Sequence, residues 1–297
     1  MSKKALIVIN PRAGKMTFRN SFYPVVKHIS DAGFDVEVHF TSHAGDATDV
    51  MFTKGADKDL IVICGGDGTF NEAVNGFIRA GLKAQLGYIP CGSTNDFAAT
   101  LGIVGTPAQI TDQILKNELI VLDAGKFNDR YFTYTASFGA FTAISYDTPQ
   151  NLKNTFGHFA YMLNATKQIG NLPRVKLKIT ADDYSEEGVY IYGGITNTTS
   201  IGGLYTLPED EVDINDGLLE LLLIREPKHP QEYAETLFNL AIREYDDPNI
   251  LFRHAKQFEL ISDEELAFTL DGEYGGADKV HRISCVENAY AVNGKQK

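Results

Sequence analysis

The sequence predicts two domains: an α/β N-terminal domain with a parallel sheet and helices on both faces, and a strand-rich, β-sandwich-like second domain. Three observations carry this. The length, 297 residues, suits about two domains. Up to about residue 125, short apolar runs alternate with helical patterns. Beyond it, runs rich in β-branched and aromatic residues follow one another with few helices between, the pattern of an antiparallel strand-rich domain. The expected division is therefore 1–125 and 126–297.

The first strand is ALIVIN (5–10), followed by an amphipathic stretch. FDVEVHF (34–40), LIVIC (60–64) and QLGYIP (85–90) repeat the pattern, each separated from the next by a helix. Such spacing indicates βαβ units and a parallel sheet. In the second half YFTYTASFGAF, VKLKIT, GVYIYGGITN, GLLELLLI, QFELI and ELAFTL read as strands, with helices expected at about 155–170 and 230–243. No repeat or low-complexity segment interrupts either half.

Composition excludes several classes. A net charge of −12 argues against nucleic acid as a partner. Cys64, Cys91 and Cys285 are far apart with no CxxC pairing, and the histidines lack ligand spacing. Free thiols in a reducing compartment are expected, and no zinc site. No apolar run approaches the roughly 20 residues that span a bilayer, and the N-terminus does not read as a signal peptide. A soluble cytoplasmic protein is the expectation. The charge is unevenly spread: 151–178 has no acid and five basic residues, so its +5 leaves −17 for the rest.

Four strand exits carry polar, glycine-containing turns. In open α/β sheets ligands bind beyond the carboxyl ends of the strands, so these turns point to one crevice. Asn10-Pro11-Arg12-Ala13-Gly14-Lys15 offers a close backbone approach at Gly14 and a phosphate counter-charge at Lys15; a plain strand-exit turn is the alternative. Gly65-Gly66-Asp67-Gly68-Thr69 leaves little side chain, so backbone N–H groups can surround phosphate oxygens. A helix starting near Phe70 would add its N-terminal dipole. Asp67 suits a phosphate only through magnesium or a protonated partner; alternatively it caps the helix. Pro90-Cys91-Gly92-Ser93-Thr94-Asn95-Asp96 is a second glycine-plus-hydroxyl turn on the same sheet edge.

NPRAGK, GGDGTFNE and GSTNDFA, in this order, resemble the diacylglycerol kinase catalytic family, specifically its bacterial soluble lipid kinases. Gly194-Ile195-Thr196-Asn197, Asp213-Ile214-Asn215-Asp216-Gly217-Leu218 and Leu270-Asp271-Gly272-Glu273-Tyr274-Gly275-Gly276 extend the resemblance over nearly the whole chain. The wider superfamily, with sphingosine kinases, NAD kinases and phosphofructokinases, shares the GGDGT-type loop. The resemblance implies ATP in a cleft between the domains. Its contacts would be Asn10 to Gly14, Thr41, Gly66, Asp67, Gly68, Thr69, Phe70, Asn71, Glu72 and Thr94. It implies Mg²⁺ on Asp213, Asp216 and the carbonyl of Leu218, in a turn that fails as an EF-hand. It makes Asp271 the general base, with Glu273 as second candidate or metal-linked partner; DG pairs also mark hairpin turns. The implied activity is transfer of the ATP γ-phosphate to diacylglycerol or a similar lipid. NAD kinase and a catalytically inactive nucleotide-binding regulator are the alternatives.

A lipid kinase must reach a bilayer. Phe156, Phe159, Ala160 and Leu163 form one apolar stripe with basic flanks, suited to an anionic surface at about 1 kcal/mol per basic residue. Packing of that helix on the second domain is the alternative. Expected partners are thus ATP and a lipid at the inner membrane face, with a homodimer admitted. Two departures, Ala99-Thr100 where many relatives carry arginine and Asn164 where some carry lysine, bear on lipid specificity more than on the ATP site.

Overall fold

The computed structural model describes residues 2–14, 22–92, 95–140, 172–198, 200–201, 205–207, 212–242 and 244–294. Lys15, Thr94 and the stripe from Phe156 to Leu163 lie outside them. The elements are β1 (Lys3–Ile9), α1 (Phe22–Asp31), β2 (Phe34–Phe40), α2 (Asp46–Lys54), β3 (Leu60–Gly65), α3 (Asp67–Arg79), β4 (Gln85–Pro90), α4 (Asp96–Thr100), α5 (Pro107–Leu115), β5 (Leu119–Phe127), β6 (Arg130–Phe132) and β7 (Thr135–Gly139). They continue with β8 (Val175–Ala181), β9 (Tyr184–Thr196), β10 (Ser200–Ile201), β11 (Tyr205–Thr206), β12 (Leu219–Arg225), α6 (Pro230–Ala241), β13 (Ile250–Ala255), β14 (Gln257–Leu270) and β15 (Glu273–Asn293).

Two compact units result: residues 1–123 with 287–297, and residues 124–286. The expected boundary near 125 marks only the first crossing. The chain returns, because β15 is long enough to end in the first unit. There Val292 pairs with Leu86 in parallel. The Asn293 side chain, fully buried, accepts from the Tyr88 N–H at 2.6 Å and donates to the Tyr88 carbonyl at 3.2 Å. Its amide stands in for a neighbouring strand, meeting both hydrogen-bonding groups of a buried residue.

In the first unit β1 pairs in parallel with β2 and β3, and β3 in parallel with β4. Ala5 to Ile9 and Leu60 to Gly65 are buried without alternation, as strands covered on both faces must be. α1 packs with α5, and α3 packs with α2 and touches α4. On α3 the residues Phe70, Ala73, Val74 and Phe77 recur at i, i+3, i+4, i+7 and are buried, so this helix is held by its apolar stripe. α5 is started by a capping box between Thr106 and Gln109, with Pro107 in its first turn.

The second unit is antiparallel. β12 pairs with β13 and β9, β9 with β7 and β8, and β14 with β7, β8 and β15. Hydrogen bonding therefore links these strands into one continuous sheet. The register shows that β7 and β8 occupy a single slot end to end. β9 pairs its residues 192–196 with β7 and 184–190 with β8. Along the facing edge, β14 uses 269–270 for β7 and 258–262 for β8. One interrupted strand thus lies between β9 and β14, and residues 140–174 separate its halves in sequence. QFELI and ELAFTL, expected as two strands, are the two ends of β14. One core cluster contains Phe138, Tyr190, Leu221, Phe258 and Phe268. A second lies under α6, with Tyr233 and Leu237 against Leu222 and Ile224.

His281 sits in the first of these cores, 1% exposed, with its ring 4.6 Å from that of Phe268 and 5.2 Å from that of Phe127. Burial pushes its pKa below the ordinary histidine value, more than the nearby Leu266 and Asp278 carbonyls raise it. The unfolded chain then binds a proton at about pH 6.5 that the folded chain refuses. Stability should be full above that pH and decline as pH falls below it. Denaturant unfolding from pH 7.5 to 5 should show a smaller acid-side decline in His281→Phe than in the parent.

Candidate active site

The four turns of the first unit converge through their own packing. Asn10, at the end of β1, donates through Nδ2 to Thr69 Oγ1 at 2.8 Å and accepts at Oδ1 from the Arg12 N–H at 2.9 Å. The first turn is thereby tied to the third. A Cβ on Gly14 would stand 2.2 Å from the Cys91 carbonyl oxygen, and one on Gly92 would stand 2.7 Å from Gly66 Cα. Both are closer than real Cβ contacts, so these glycines are required where three turns touch. Asn95 closes the fourth turn, accepting from the Gly92 N–H at 2.8 Å and donating to its carbonyl at 2.9 Å.

α3 starts at Asp67, three residues before its expected start, and Gly66 rather than Asp67 is the N-cap. Asp67, Gly68 and Thr69 thus form the first turn, where peptide N–H groups lack intrahelical acceptors, and the Phe70 N–H is the first to be met, by the Gly66 carbonyl at 3.0 Å. Asp67 is half-buried, with the Tyr88 hydroxyl 3.4 Å from its Oδ1. The phenol's pKa is raised by burial and by that carboxylate, so it remains a donor to Asp67. Tyr88 is a contributor that sequence reasoning missed, because a tyrosine within a strand reads as core.

Not every residue in the GGDGTFNE turn can meet a ligand through its side chain. Phe70 is fully buried, its ring 4.4 Å from Tyr88 and 5.2 Å from Phe97. Asn71 is buried and accepts from Asn75. Glu72 accepts from the Gly45 N–H at 2.8 Å, and the Thr48 hydroxyl bonds its carbonyl at 2.7 Å. It therefore holds the turn after β2 in place. Thr41, half-buried, donates its N–H to the Ile9 carbonyl at 2.8 Å. Beyond it Asp46 accepts from the Ser42 N–H and hydroxyl and from His39. Those bonds outweigh burial and hold its pKa at about 2. Pro11 and Arg12 are exposed.

In the second unit Asp271 and Gly272 form the two-residue turn between β14 and β15. Leu270 pairs with Glu273, and φ is positive at both turn residues, 49° and 86°. That is the geometry of a type I′ hairpin. Asp271 is 4% exposed and accepts four hydrogen bonds. Oδ2 takes the Thr133 N–H and hydroxyl, each at 2.7 Å, and Oδ1 takes the Tyr134 and Thr135 N–H groups at 3.0 and 2.9 Å. Burial raises its pKa against the pull of these donors. Asp271, expected as the general base, is therefore nearly closed to solvent, with hydrogen bonds at both of its oxygens. Glu273, two residues on, is exposed. Beside it Arg130 donates to the Tyr274 carbonyl at 2.8 Å, and Tyr274 is 63% exposed.

The acidic turn lies before β12. Asp213 and Asp216 are exposed and accept from the N–H groups of Asn215 and Leu218 at 3.2 and 2.9 Å. Among the described residues no three His, Cys, Asp or Glu side chains gather closely enough to hold an ion. Sequence reasoning passed over Glu220, which is fully buried and has no hydrogen-bond partner at either carboxylate oxygen. Burial, with Asp216 and Asp213 adding repulsion, pushes its pKa up to about 9. Leaving such a group unsatisfied costs about 1–3 kcal/mol. Of the acid-free segment's basic residues, Arg174 pairs with Glu226, and Lys176 with Glu187 at 3.1 Å and Asp263 at 3.6 Å.

A sequence model described as the diacylglycerol kinase catalytic domain matches residues 4–127. A protein of Bacillus subtilis (strain 168) named diacylglycerol kinase is 31% identical over 99% of this chain and 98% of its own length. The chain belongs to the diacylglycerol kinase family. It is a kinase. A diacylglycerol kinase of Staphylococcus haemolyticus (strain JCSC1435) is 33% identical over 93% of this chain and 84% of its own length. The fold agrees with a crystal structure from Bacillus anthracis str. Sterne at a TM-score of 0.82 and 25% identity, covering 99% of this chain and 96% of that one. No helix among the described residues of this kinase is long and apolar enough to cross a membrane.

Two outcomes follow for stability. Asp271→Ala, which strands four buried donors, should lower unfolding free energy by about 3 kcal/mol or more, whereas Glu273→Ala should leave the urea midpoint within error. Gly14→Ala forces a side chain into a left-handed backbone (φ 61°) against Cys91 and should cost about 1–3 kcal/mol in the same experiment.

Proposed function

We propose that this kinase transfers the γ-phosphate of ATP to the hydroxyl of diacylglycerol or a similar lipid, giving phosphatidic acid. The observation that carries the nucleotide half is the interlocking of three glycine turns beside the N-terminus of α3. Backbone N–H groups with so little side chain around them favour phosphate oxygens, and the helix dipole adds to that preference. Asn10 to Gly14, Thr41, Gly66 to Thr69 and Thr94 are the proposed contacts, with Lys15 as a counter-charge. Phe70, Asn71 and Glu72 contribute as support beneath these turns. Asp67, oriented by Tyr88, joins the water and metal network around the phosphates.

We assign the general base to Glu273 and give Asp271 the task of positioning it. Phosphoryl transfer asks the protein chiefly for position and charge neutralisation, plus a carboxylate to accept the hydroxyl proton. An exposed carboxylate can accept one; a buried carboxylate already filled by four donors cannot do so without losing one of them. By clamping the hairpin turn, Asp271 fixes the direction in which the next strand starts.

For Mg²⁺, the oxygen-only donor set of Asp213, Asp216 and the Leu218 carbonyl suits a hard cation. When bound, the ion supplies positive charge and rigidity at the turn. The protein would work in the cytoplasm and meet its lipid at the inner membrane face.

Radiolabelled γ-phosphate from ATP, offered to vesicles of diacylglycerol, monoacylglycerol, sphingosine or phosphatidylglycerol and to NAD, should appear in diacylglycerol or a close relative. Labelling of NAD alone would overturn the proposal. Glu273→Gln should lower kcat about 10²–10⁴-fold with the urea midpoint unchanged. An undiminished kcat in that variant would remove Glu273 from the mechanism.

A further inference from the structure

We infer that Glu220 is a part of the cation site at the acidic turn, its buried carboxylate accepting hydrogen bonds from water on the ion held by Asp213, Asp216 and the Leu218 carbonyl. This rests on the magnesium proposed for that turn.

Three observations support it. Alternation along β12 sends Leu219, Leu221 and Leu223 into one core cluster and Leu222 and Ile224 into the other. Glu220 shares the second face, an apolar one, where a carboxylate has no packing reason to be. Leu218 ends the acidic turn immediately before β12, two residues from Glu220 along the chain. Next, both oxygens of Glu220 are buried and unpartnered, although fully buried glutamates are almost always paired. Its cross-strand neighbours, Thr196 and His254, do not hydrogen-bond to it. Third, Asn197, next in the chain to the Thr196 that faces Glu220, donates to the Ile214 carbonyl of the acidic turn at 3.3 Å, so that turn lies against the Glu220 end of β12. A divalent cation held by few protein ligands keeps several waters, and those waters are donors. Because no three acids gather closely enough to bind an ion directly among the described residues, Glu220 acts through water, as outer carboxylates at metal sites do.

The experiment is calorimetric Mg²⁺ binding to the nucleotide-free protein, together with thermal unfolding with and without Mg²⁺. It uses the parent chain, Glu220→Gln, Glu220→Met and Asp213→Asn. The parent should bind Mg²⁺, and Asp213→Asn should lose binding. Both Glu220 variants should bind about 10–100-fold more weakly while melting no lower than the parent in metal-free buffer. Unchanged Mg²⁺ affinity in the Glu220 variants, with Asp213→Asn impaired, overturns the role of Glu220 and leaves the magnesium at the turn standing. The same is concluded if the Glu220 variants lose equal stability with and without Mg²⁺. No binding by the parent, or full binding by Asp213→Asn, overturns the magnesium assignment and this inference with it.

Discussion

A charge removed from water has to be met by the protein, and Asp271 shows what that demand organises. Four donors from three consecutive residues, Thr133 to Thr135, converge on one carboxylate. The Asp271 N–H in turn reaches the Thr135 carbonyl at 2.8 Å. This cluster fastens the β14–β15 turn to the start of β7, which with β8 fills the slot between β9 and β14. The exposed Glu273 follows directly on that clamped turn. An acid can thus hold a turn in place through the donors it gathers.

The first unit meets a different constraint. Its turns are not free loops around a ligand; they are packed on one another so closely that a methyl group at Gly14 or Gly92 would collide with a neighbouring backbone. Glycine there serves loop against loop before it serves any phosphate. A surface of backbone N–H groups is the consequence, because the side chains that could cover it are missing. The aromatic packing beneath, Phe70 on Tyr88 and Phe97, keeps the start of α3 from moving.

Much of this was legible in the residues. Consecutive apolar runs ending in glycine turns pointed to a parallel sheet, since only strands covered on both faces dispense with alternation. The acids of the DGE and PEDEVDINDG segments stood out by density. What escaped was of two kinds. Some elements were passed over: β5 and β13 open on apolar runs, LIVL and ILF, while β15, 21 residues without a sustained apolar run, is held chiefly by pairing. α5 could have been found, because Thr106, Pro107 and Gln109 spell a helix start. Other misses concern the state of a side chain. Asp271 and Glu273 differ by two positions in sequence, yet one is sealed and the other is open to solvent. Glu220, in a row of leucines, offered only its incongruity.

By itself, the sequence determined the type of each well-patterned strand and helix, the positions of the glycine turns, and the kinds of chemical group available. These depend on local sterics and periodicity, which neighbouring residues settle among themselves. Only the tertiary structure decided which acids are buried, which turns touch, and where the last strand ends. Burial and contact are set by residues far away in the chain: Asn293 completes Tyr88, and Thr133 completes Asp271. A carboxylate becomes a buried anchor or stays open to solvent according to the donors that folding brings to it, and no short stretch of sequence contains those donors.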